Sequence, residues 1–400
     1  MSRRHVFWLV ALALLLLVRP TPPAASRGTT TPAKDATKPA SSLRVNGRQV
    51  SWEGWEFAWS IHPRNGLVLE DVHYAGRSVL KYAGMAEIFV PYNRGSPRPE
   101  DFGDGIGKRL IELLPGKDCV PTAAGTCLAY NARGKAEGRR VVMMHEEATG
   151  LSYLGDLGRA YGKALVLWCA YDLDGYRYIS RWHFREDGQL TPEIGLTGPL
   201  QHTGRGESSP FGSLVGKGRL FAPSHVHNVY YCLDFDIDGA DGNVVEELNY
   251  RQDKPGSRSG KHSWTRLTKE TSRPLSAENF RSWRVVNPKS KNSLGLPRSY
   301  ELVPSGGAYR GAATERFARA DLWVTRHNPK EHPNDRRPLS AFLAGYLNDE
   351  SIDGANVVLW YALHLHHLPR TEDWPGMRVE WASFTLRPRD FLDASPVRAK

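Results

Sequence analysis

Residues 224–243, with the sequence SHVHNVYYCLDFDIDGADGN, join a run of strand-forming residues to a turn rich in Asp and Gly. Between Val226 and Ile237 the segment is dominated by β-branched, aromatic and other apolar residues, which favour strands. The residues that follow, from Asp238 to Asn243, are typical of turns. This stretch therefore predicts a β-strand that ends in an acidic turn.

Similar runs recur along the chain, separated by clusters of Gly, Pro, Asn and Asp, and no long segment has the 3.6-residue period of a helix. One short helix is expected in SAENFRSW (276–283), with Ser276 as its N-cap. The pattern predicts an all-β fold, a large antiparallel β-sandwich with few short helices. The other strand-like runs are WEFAWSIH (55–62), MAEIFVPY (85–92), KALVLWCAY (163–171), YRYISRWHF (176–184) and NVVLWYALHL (356–365).

The N-terminus has the pattern of a secretory signal. Arg3 and Arg4 precede the apolar run at 6–18, and small residues follow at 24–25. The run is shorter than the roughly 20 apolar residues of a membrane span, and no later segment approaches that length. We expect a signal peptide at 1–25, a flexible linker rich in Pro, Ser, Thr and Ala at 26–43, one large domain at 44–400, and a secreted protein without a membrane span.

Charge and cysteine content limit the classes of partner and of cross-link. The formal net charge is +10, and removal of the three arginines in residues 1–25 leaves +7. These charges are scattered and form no cluster interleaved with aromatic residues, so nucleic acid is not an expected partner. Four cysteines in an exported chain permit two disulfides. Cys119 and Cys127 can close a short loop, whereas Cys169 and Cys232 lie inside strand-like runs, and the pairing stays open.

The opening stretch carries two groups of potential metal ligands. His225 and His227 are two residues apart, so on a strand they point to one face and can approach one ion, although a third ligand must come from elsewhere. Asp234, Asp236 and Asp238 resemble the start of an EF-hand loop, but Val245 stands where the bidentate glutamate belongs, which excludes that motif. The acids either form a ligand-free turn or bind a hard cation.

A second histidine cluster lies near the C-terminus, in NVVLWYALHLHHLPRTEDWPGM (356–377). On a strand, His364 and His366 share one face and His367 points to the other. By itself this pattern fits an exposed, histidine-rich edge as well as it fits a metal site.

Taken together, these segments resemble the catalytic domain of the copper amine oxidases, over about residues 43–397. The family's H-x-H, L-D-x-D-x-D-G and N-x-V-x-E motifs match residues 225–247, and its late motif of a histidine before Pro-Arg-x-Glu-Asp-Trp-Pro-x-Met matches 367–377. Further similarity lies in the strand segments at 47–93, in MMHEE (143–147) and in FTLRPRDFLDASP (384–396). The resemblance implies a homodimeric enzyme that oxidises a small primary amine with O2.

The resemblance also implies the metal ligands. His225, His227 and His367 correspond to the three ligands of copper(II). Asp234 and Asp236, with the carbonyl of Phe235, correspond to a peripheral calcium-type site, to which Asn356 contributes where the family usually has an aspartate.

Members of this family make a quinone cofactor, topaquinone, from one of their own tyrosines with copper and dioxygen, usually within a T-x-x-N-Y-[DE] motif. In DLDGYRYISRWHFREDGQLTPEIGLTG (172–198) the corresponding tyrosine is Tyr176. The surrounding positions differ, because the threonine is Asp172, the asparagine is Gly175 and the following acid is Arg177. A tyrosine, copper and dioxygen are the chemical minimum for making the cofactor, and Arg177 would have little effect on it if it points to the opposite strand face.

The catalytic base is usually an aspartate that follows a V-P-Y segment. In DFGDGIG (101–107) the first candidate is Asp101 and the second is Asp104, while Tyr92 of FVPY corresponds to the tyrosine that bonds the quinone oxygen. A secreted primary-amine oxidase is thus the first hypothesis. The alternatives are a catalytically silent copper-binding protein of the same fold and an oxidase that uses copper without the quinone.

Overall fold

The computed structural model describes residues 42–91, 105–121, 125, 127–156, 158–173, 175–205, 210–305, 319–331 and 343–396. The expected signal peptide, most of the expected linker, and Tyr92, Asp101 and Asp104 lie outside these residues. Two short 3₁₀ turns, Ile106–Lys108 and Thr371–Asp373, are the helical elements of the described chain. The all-β prediction with few short helices is confirmed.

The described chain forms twenty-two strands. In chain order they are β1 (Arg44–Asn46), β2 (Gln49–Trp52), β3 (Trp55–His62), β4 (Gly66–Tyr74), β5 (Arg77–Phe89), β6 (Leu128–Tyr130), β7 (Val142–Gly155), β8 (Gly158–Leu173), β9 (Tyr176–Arg185), β10 (Leu190–Pro199), β11 (Thr203–Arg205), β12 (Gly212–Val215), β13 (Leu220–Pro223), β14 (His225–Phe235), β15 (Val244–Gln252), β16 (Gly260–Leu267), β17 (Thr271–Arg273), β18 (Ser282–Lys291), β19 (Pro297–Pro304), β20 (Leu322–Arg326), β21 (Val357–His367) and β22 (Gly376–Arg389).

These strands form two large antiparallel sheets and one small one. The nine-stranded sheet has the order β1-β2-β3-β4-β5-β14-β21-β20-β17, and the ten-stranded sheet has the order β16-β15-β18-β19-β22-β10-β9-β8-β7-β6. The third sheet has the order β11-β13-β12. Most strands pair with a sequence neighbour, but β14 lies between β5 and β21, which come from distant parts of the chain.

The two large sheets pack face to face on one continuous apolar core. Phe57 of the nine-stranded sheet stacks on Phe184 of the ten-stranded sheet, with ring centroids 4.1 Å apart. The hydroxyl of Tyr171 in β8 accepts a hydrogen bond from the main-chain nitrogen of Leu67 in β4, at 2.8 Å. Contacts of this kind fix the position of β9 over β14, where the candidate site lies.

The burial patterns of β9 and β14 follow from their places in the sheets. In β9 every second residue is buried, so Tyr176, Tyr178 and Trp182 all face the core. In β14 all eleven residues are buried, because a second apolar cluster that includes Cys232 and Trp360 covers the outer face of the nine-stranded sheet. A histidine on the inner face of β14 is therefore shielded from water.

The four cysteines form one disulfide and two free thiols. Cys119 and Cys127 form a disulfide, whereas Cys169 and Cys232 are buried free thiols.

The prediction of a helix at 276–283 is wrong, because residues 277–280 form a turn and Ser282 already starts β18. The main-chain nitrogen of Arg281 bonds to the Ser276 oxygen, so the segment closes on itself after one turn. Burial of Trp283 against the core draws the rest into the sheet.

No helix among the described residues has both the length and the apolar character needed to span a membrane.

Candidate metal centre and tyrosine site

Three histidines predicted as ligands meet at one end of the β14–β21 pair. His225 and His227 are two residues apart on β14 and share its inner face, as predicted. His367 is the last residue of β21 and lies directly opposite His225 in the strand register. The ring centroid of His225 lies 4.8 Å from that of His227 and 4.9 Å from that of His367. The antiparallel pairing thus joins two motifs that are 140 residues apart in the chain.

Each of these imidazoles has one nitrogen next to an oxygen atom of the protein. His225 Nδ1 lies 2.9 Å from the Pro223 carbonyl oxygen and donates to it. His227 Nδ1 lies 2.8 Å from the Tyr178 hydroxyl, and His367 Nε2 lies 3.4 Å from a carboxylate oxygen of Asp373. Contacts of this kind orient metal-binding histidines and select their tautomers.

Two of the remaining nitrogens, on His225 and His367, approach each other. His225 Nε2 and His367 Nδ1 are 3.4 Å apart, a separation that fits two ligands on one ion bound at roughly 2.0–2.1 Å from each nitrogen. His227 Nε2 is buried and has no hydrogen-bond partner, which is costly unless an ion occupies its lone pair. The donor set of three imidazole nitrogens suits copper or zinc.

Burial keeps two of these imidazoles, those of His225 and His227, neutral, as metal binding requires. It lowers the pKa of His225 to about 3, with a smaller effect from His367 and against the hydrogen bond to Pro223. Burial also lowers the pKa of His227 well below its usual value. A protonated imidazole cannot bind a metal. The lowered pKa values of His225 and His227 therefore leave both free of protons and able to bind a metal ion across the physiological pH range.

Tyr176 completes the site from the opposite sheet. Its hydroxyl lies 2.8 Å from His225 Nε2, and its ring centroid lies 5.1 Å from that of His227. Among the described residues no three ligand-type side chains close on a single point, and the phenol lies against one of the nitrogens that would hold the ion. The residue predicted as the cofactor precursor is thus brought together with the predicted copper ligands.

The altered positions around Tyr176 have their own structural explanation. Asp172 and Arg177 are cross-strand partners on β8 and β9, and their side chains form an ion pair. Tyr176 is buried, whereas Arg177 is about one third exposed, so the guanidinium lies on the other face of the strand. The two charges therefore satisfy each other away from the phenol.

Gly175 adopts a φ of +138°, which side chains of L-residues rarely tolerate. A Cβ at this position would overlap the side-chain nitrogen of Gln201. The glycine is thus required by the β8–β9 turn, and the Gln201 amide fills the space that an asparagine at 175 would need.

The predicted calcium-type ligands lie on the other face of the nine-stranded sheet. Asp234 follows His227 by seven residues on β14, and because this number is odd the two side chains point to opposite faces of the strand. At the rise of a β-strand, Asp234 lies ~23 Å from His227 along the strand. Three buried side-chain oxygens there lack hydrogen-bond partners, namely Oδ1 of Asp234, of Asp236 and of Asn356. The other oxygen of Asp234 lies 3.2 Å from His327 Nδ1. Burial and the nearby Asp236 raise the pKa of Asp234 to about 6, against the effect of His327.

Sequence reasoning missed Tyr178 and Asp373 as orienting partners of the histidines. Tyr178 is two residues after Tyr176 on the same strand, so the period of two could have identified it. Asp373 follows His367 by six residues and reaches it only because Thr371–Asp373 forms a 3₁₀ turn closed by Arg370. That reversal has no simple sequence signal.

Three buried imidazoles beside a tyrosine, held between the sheets of a β-sandwich, form a site of the kind that binds copper or zinc in proteins. The sequence profile of the copper amine oxidase enzyme domain matches residues 44–399, and the chain belongs to this family. It is 31% identical to a histamine oxidase of Arthrobacter globiformis over 89% of the chain and 57% of that protein. It is 28% identical to a peroxisomal copper-containing diamine oxidase of Nicotiana tabacum over 89% of the chain and 51% of that protein.

Solved structures support the fold. A copper-containing benzylamine oxidase from Hansenula polymorpha superposes with a TM-score of 0.80 at 24% identity, over 92% of this chain and 64% of that chain. The chain spans about half the length of the curated relatives it matches.

Proposed function

We propose that this protein is a secreted, copper- and topaquinone-dependent primary-amine oxidase, which converts an amine, O2 and water into an aldehyde, ammonia and hydrogen peroxide. The observation that carries the proposal is the 2.8 Å contact between the Tyr176 hydroxyl and His225 Nε2. It sets the tyrosine that matches the family's cofactor position against a nitrogen of the proposed metal site. Family membership supports the same reaction class.

His225, His227 and His367 would hold copper(II) through Nε2, Nε2 and Nδ1, the nitrogens left by their bonds to Pro223, Tyr178 and Asp373. When bound, copper supplies redox chemistry with dioxygen, both for making the quinone and for reoxidising it during turnover. The protein's part is to keep the three imidazoles buried and oriented, and its interior keeps His225 and His227 neutral.

Two features place Tyr176 beside the metal site. Its hydroxyl lies 2.8 Å from His225 Nε2, the nitrogen assigned to copper, and its main chain lies in the β8–β9 hairpin, where Leu173 and Tyr176 are register partners. Because Arg177 pairs with Asp172 on the outer face, its guanidinium does not compete for the phenol. These contacts favour the oxidase over a silent relative, since the altered motif leaves the tyrosine buried and correctly directed.

The substrate's α-proton would be removed by Asp101, with Asp104 as the second candidate, and Tyr92 would bond the quinone oxygen. These roles rest on the resemblance. The described chain adds one support: the carbonyl of Pro91 lies 3.4 Å from the main-chain nitrogen of Val226, between the two histidines. The segment that carries Tyr92 therefore begins beside the site.

The alternative is a catalytically silent copper-binding protein of the same fold. The observation in its favour is Gly175, because its φ of +138° is a conformation that the family's asparagine would adopt only with strain. A copper oxidase without the quinone gains no support from the free cysteines. Cys169 donates to Tyr171 at 2.8 Å, and Cys232 lies on the face of β14 opposite His225 and His227.

The deciding experiment is mass spectrometry of the peptide that contains Tyr176. Metal-free protein is loaded with copper under air and trapped with phenylhydrazine, with Tyr176→Phe as the matched control. A hydrazone at Tyr176 that is absent from the control supports the oxidase. Unmodified tyrosine in protein that holds stoichiometric copper supports the silent alternative.

The proposal extends to export, assembly and a second cation. The basic and apolar pattern of residues 1–25 supports a cleaved signal peptide. The buried oxygens of Asp234, Asp236 and Asn356, with the Phe235 carbonyl, support a hard cation such as calcium. The family resemblance supports a homodimer, and a monomeric mass by light scattering would count against that part.

A further inference from the structure

A cavity of about 650 Å³ lies over the ten-stranded sheet, within the size range of small-molecule sites. Strands β15, β16, β18, β19 and β22 provide its floor, and residues 275–281 form one wall. Leu248 is the register partner of both Trp264 and Ser282, so these floor residues share a face. The next residue, Trp283, is buried in the core, so the cavity lies on the outer face.

Two arginines in this cavity share one buried carboxylate. Glu301 is almost fully buried, and its Oε2 accepts from Arg387 Nε at 3.1 Å and from Arg389 Nε at 2.9 Å. Its Oε1 accepts from the Ser282 hydroxyl at 2.6 Å. Burial would raise the pKa of Glu301, but these hydrogen bonds hold it below its usual value. Glu301 is therefore an anion that balances one of the two guanidinium groups.

Among the described residues, Glu301 is the acid that pairs with Arg387 and Arg389, and no other acid pairs with either of them. Along one row of register partners the charges alternate through Glu246, Arg284, Glu301 and Arg387. Arg284 is already paired with Glu246 at 2.7 Å. Arg389 lies beyond this row and shares Glu301 with Arg387, which leaves an excess positive charge on the lining.

The guanidinium groups remain accessible to a ligand. The side chain of Arg387 is 45% exposed and that of Arg389 is 35% exposed. Glu301 takes their Nε–H groups, whereas a guanidinium offers five N–H donors in all. Donors of this kind match the geometry of an incoming carboxylate.

Most of the remaining lining is apolar or aromatic, although it also includes His262, Ser276 and Arg281. Trp264 contributes an indole ring whose centroid lies 4.0 Å from the Arg284 guanidinium carbon and 5.3 Å from that of Arg389, so a ligand ring would pack against its free edge. Phe280, on the wall segment, is 73% exposed, and Leu248 is part of the floor. A cation beside a ring-lined hollow favours a ligand with an anionic group on a flat apolar body.

From this arrangement we infer that the cavity is a binding site for a small aromatic carboxylate. The carboxylate pairs with Arg387 and Arg389, and the ring packs against Trp264 and Phe280. The lining residues are distinct from His225, His227, His367 and Tyr176, so this site is separate from the proposed amine oxidase centre.

The test is a ¹⁹F NMR titration of the full chain with 4-(trifluoromethyl)benzoate, using the uncharged 4-(trifluoromethyl)benzamide as the matched ligand. Arg389→Gln removes the excess charge and leaves Arg387 to balance Glu301, so the fold is retained. Phe280→Ser removes the exposed ring without touching the charges. Arg378→Gln is the control, since this exposed arginine is on the same strand but does not line the cavity.

Saturable binding of the benzoate, at least tenfold stronger than that of the benzamide, is expected. Arg389→Gln should weaken it at least tenfold, Phe280→Ser should weaken it measurably, and Arg378→Gln should leave it unchanged. Equal binding of the two ligands, unchanged binding in Arg389→Gln, or no saturable binding to the parent chain overturns the inference. Each of these outcomes is independent of copper content and of amine oxidation.

Discussion

Arg177 and Asp172 form an ion pair directly across the β8–β9 hairpin. Both residues differ from the family's motif around the cofactor tyrosine, and in isolation each places an unexpected charge beside Tyr176. In the fold they are register partners on the outer strand face, so the two changes compensate each other. The hydroxyl of Tyr176 bonds to His225 on the inner face.

Arg177→Ala should leave formation of the phenylhydrazine adduct at Tyr176 unchanged, because the guanidinium lies away from the phenol. Since both charged groups are at least one third exposed, the loss in unfolding free energy should be only about 0.2–1 kcal/mol. Mass spectrometry measures the adduct and chemical denaturation measures the stability. Exchanging the charges, with Asp172→Arg and Arg177→Asp together, should restore the stability. Loss of the adduct in Arg177→Ala would show that the charge does act on the tyrosine.

His367→Ala should abolish stoichiometric copper binding, because two imidazoles on one strand leave the coordination incomplete. The matched control is His366→Ala, since His366 is the adjacent residue and its side chain is exposed on the other strand face. Elemental analysis of protein reconstituted with copper gives the ratio. Normal copper content in His367→Ala would refute the ligand assignment.

Gly175→Ala should lower the free energy of unfolding. An alanine held at this φ costs about 1–3 kcal/mol in backbone strain, and the total loss should be larger than that. The added methyl group meets Gln201, so the double variant with Gln201→Ala should recover part of the loss. Gly239→Ala is the control, because its φ of +129° is similar and no atom lies within 4 Å of the new carbon. Thermal unfolding in the presence of a chelator compares the four proteins. Equal losses for the two single variants would remove any role for Gln201.

Asp101→Asn should leave the phenylhydrazine adduct at Tyr176 in place and stop amine turnover, because an amide cannot accept the substrate proton. Asp104→Asn is the matched comparison. Oxygen consumption and adduct mass are measured on the same samples. Turnover that survives in Asp101→Asn but not in Asp104→Asn would transfer the role of base to Asp104.

His183 should make stability depend on pH. Its ring nitrogens lie 3.2 Å from Glu147 and 3.1 Å from Glu193, and these bonds raise its pKa even though burial opposes them. A raised histidine pKa contributes stability that is fully present below about pH 6.5 and is lost as the pH rises through the folded value. Urea unfolding at several pH values should therefore show a decline above pH 6.5 that is smaller in His183→Gln.

Glu147, which is bonded to His183, should make stability depend on pH in the opposite direction. The hydrogen bond from His183 lowers the pKa of Glu147, so its contribution is present above about pH 4.5 and is lost as the pH falls through the folded value. The control is His73→Gln, at a histidine bonded to a main-chain oxygen instead of a carboxylate. A parent chain whose pH profile matches that of His183→Gln would contradict the prediction.

The sequence by itself determined the fold class and the inventory of reactive groups. The strand-forming run YRYISRWHF (176–184) predicted β9, and the spacing of His225 and His227 placed both on one strand face. These predictions held because the period of a strand is local. The helix expected at 276–283 failed because burial of Trp283 in the sheet outweighs the weak preference of a short capped segment.

Only the tertiary structure decided which of these groups act together. The pairing of β14 with β21 joins His225 to His367, and the packing of the two sheets brings Tyr176 to His225. It also decided that Asp172 and Arg177 neutralise each other and that Gly175 meets Gln201. Long-range register is fixed by burial of whole faces in a shared core, and this information is spread over the chain and absent from any single motif.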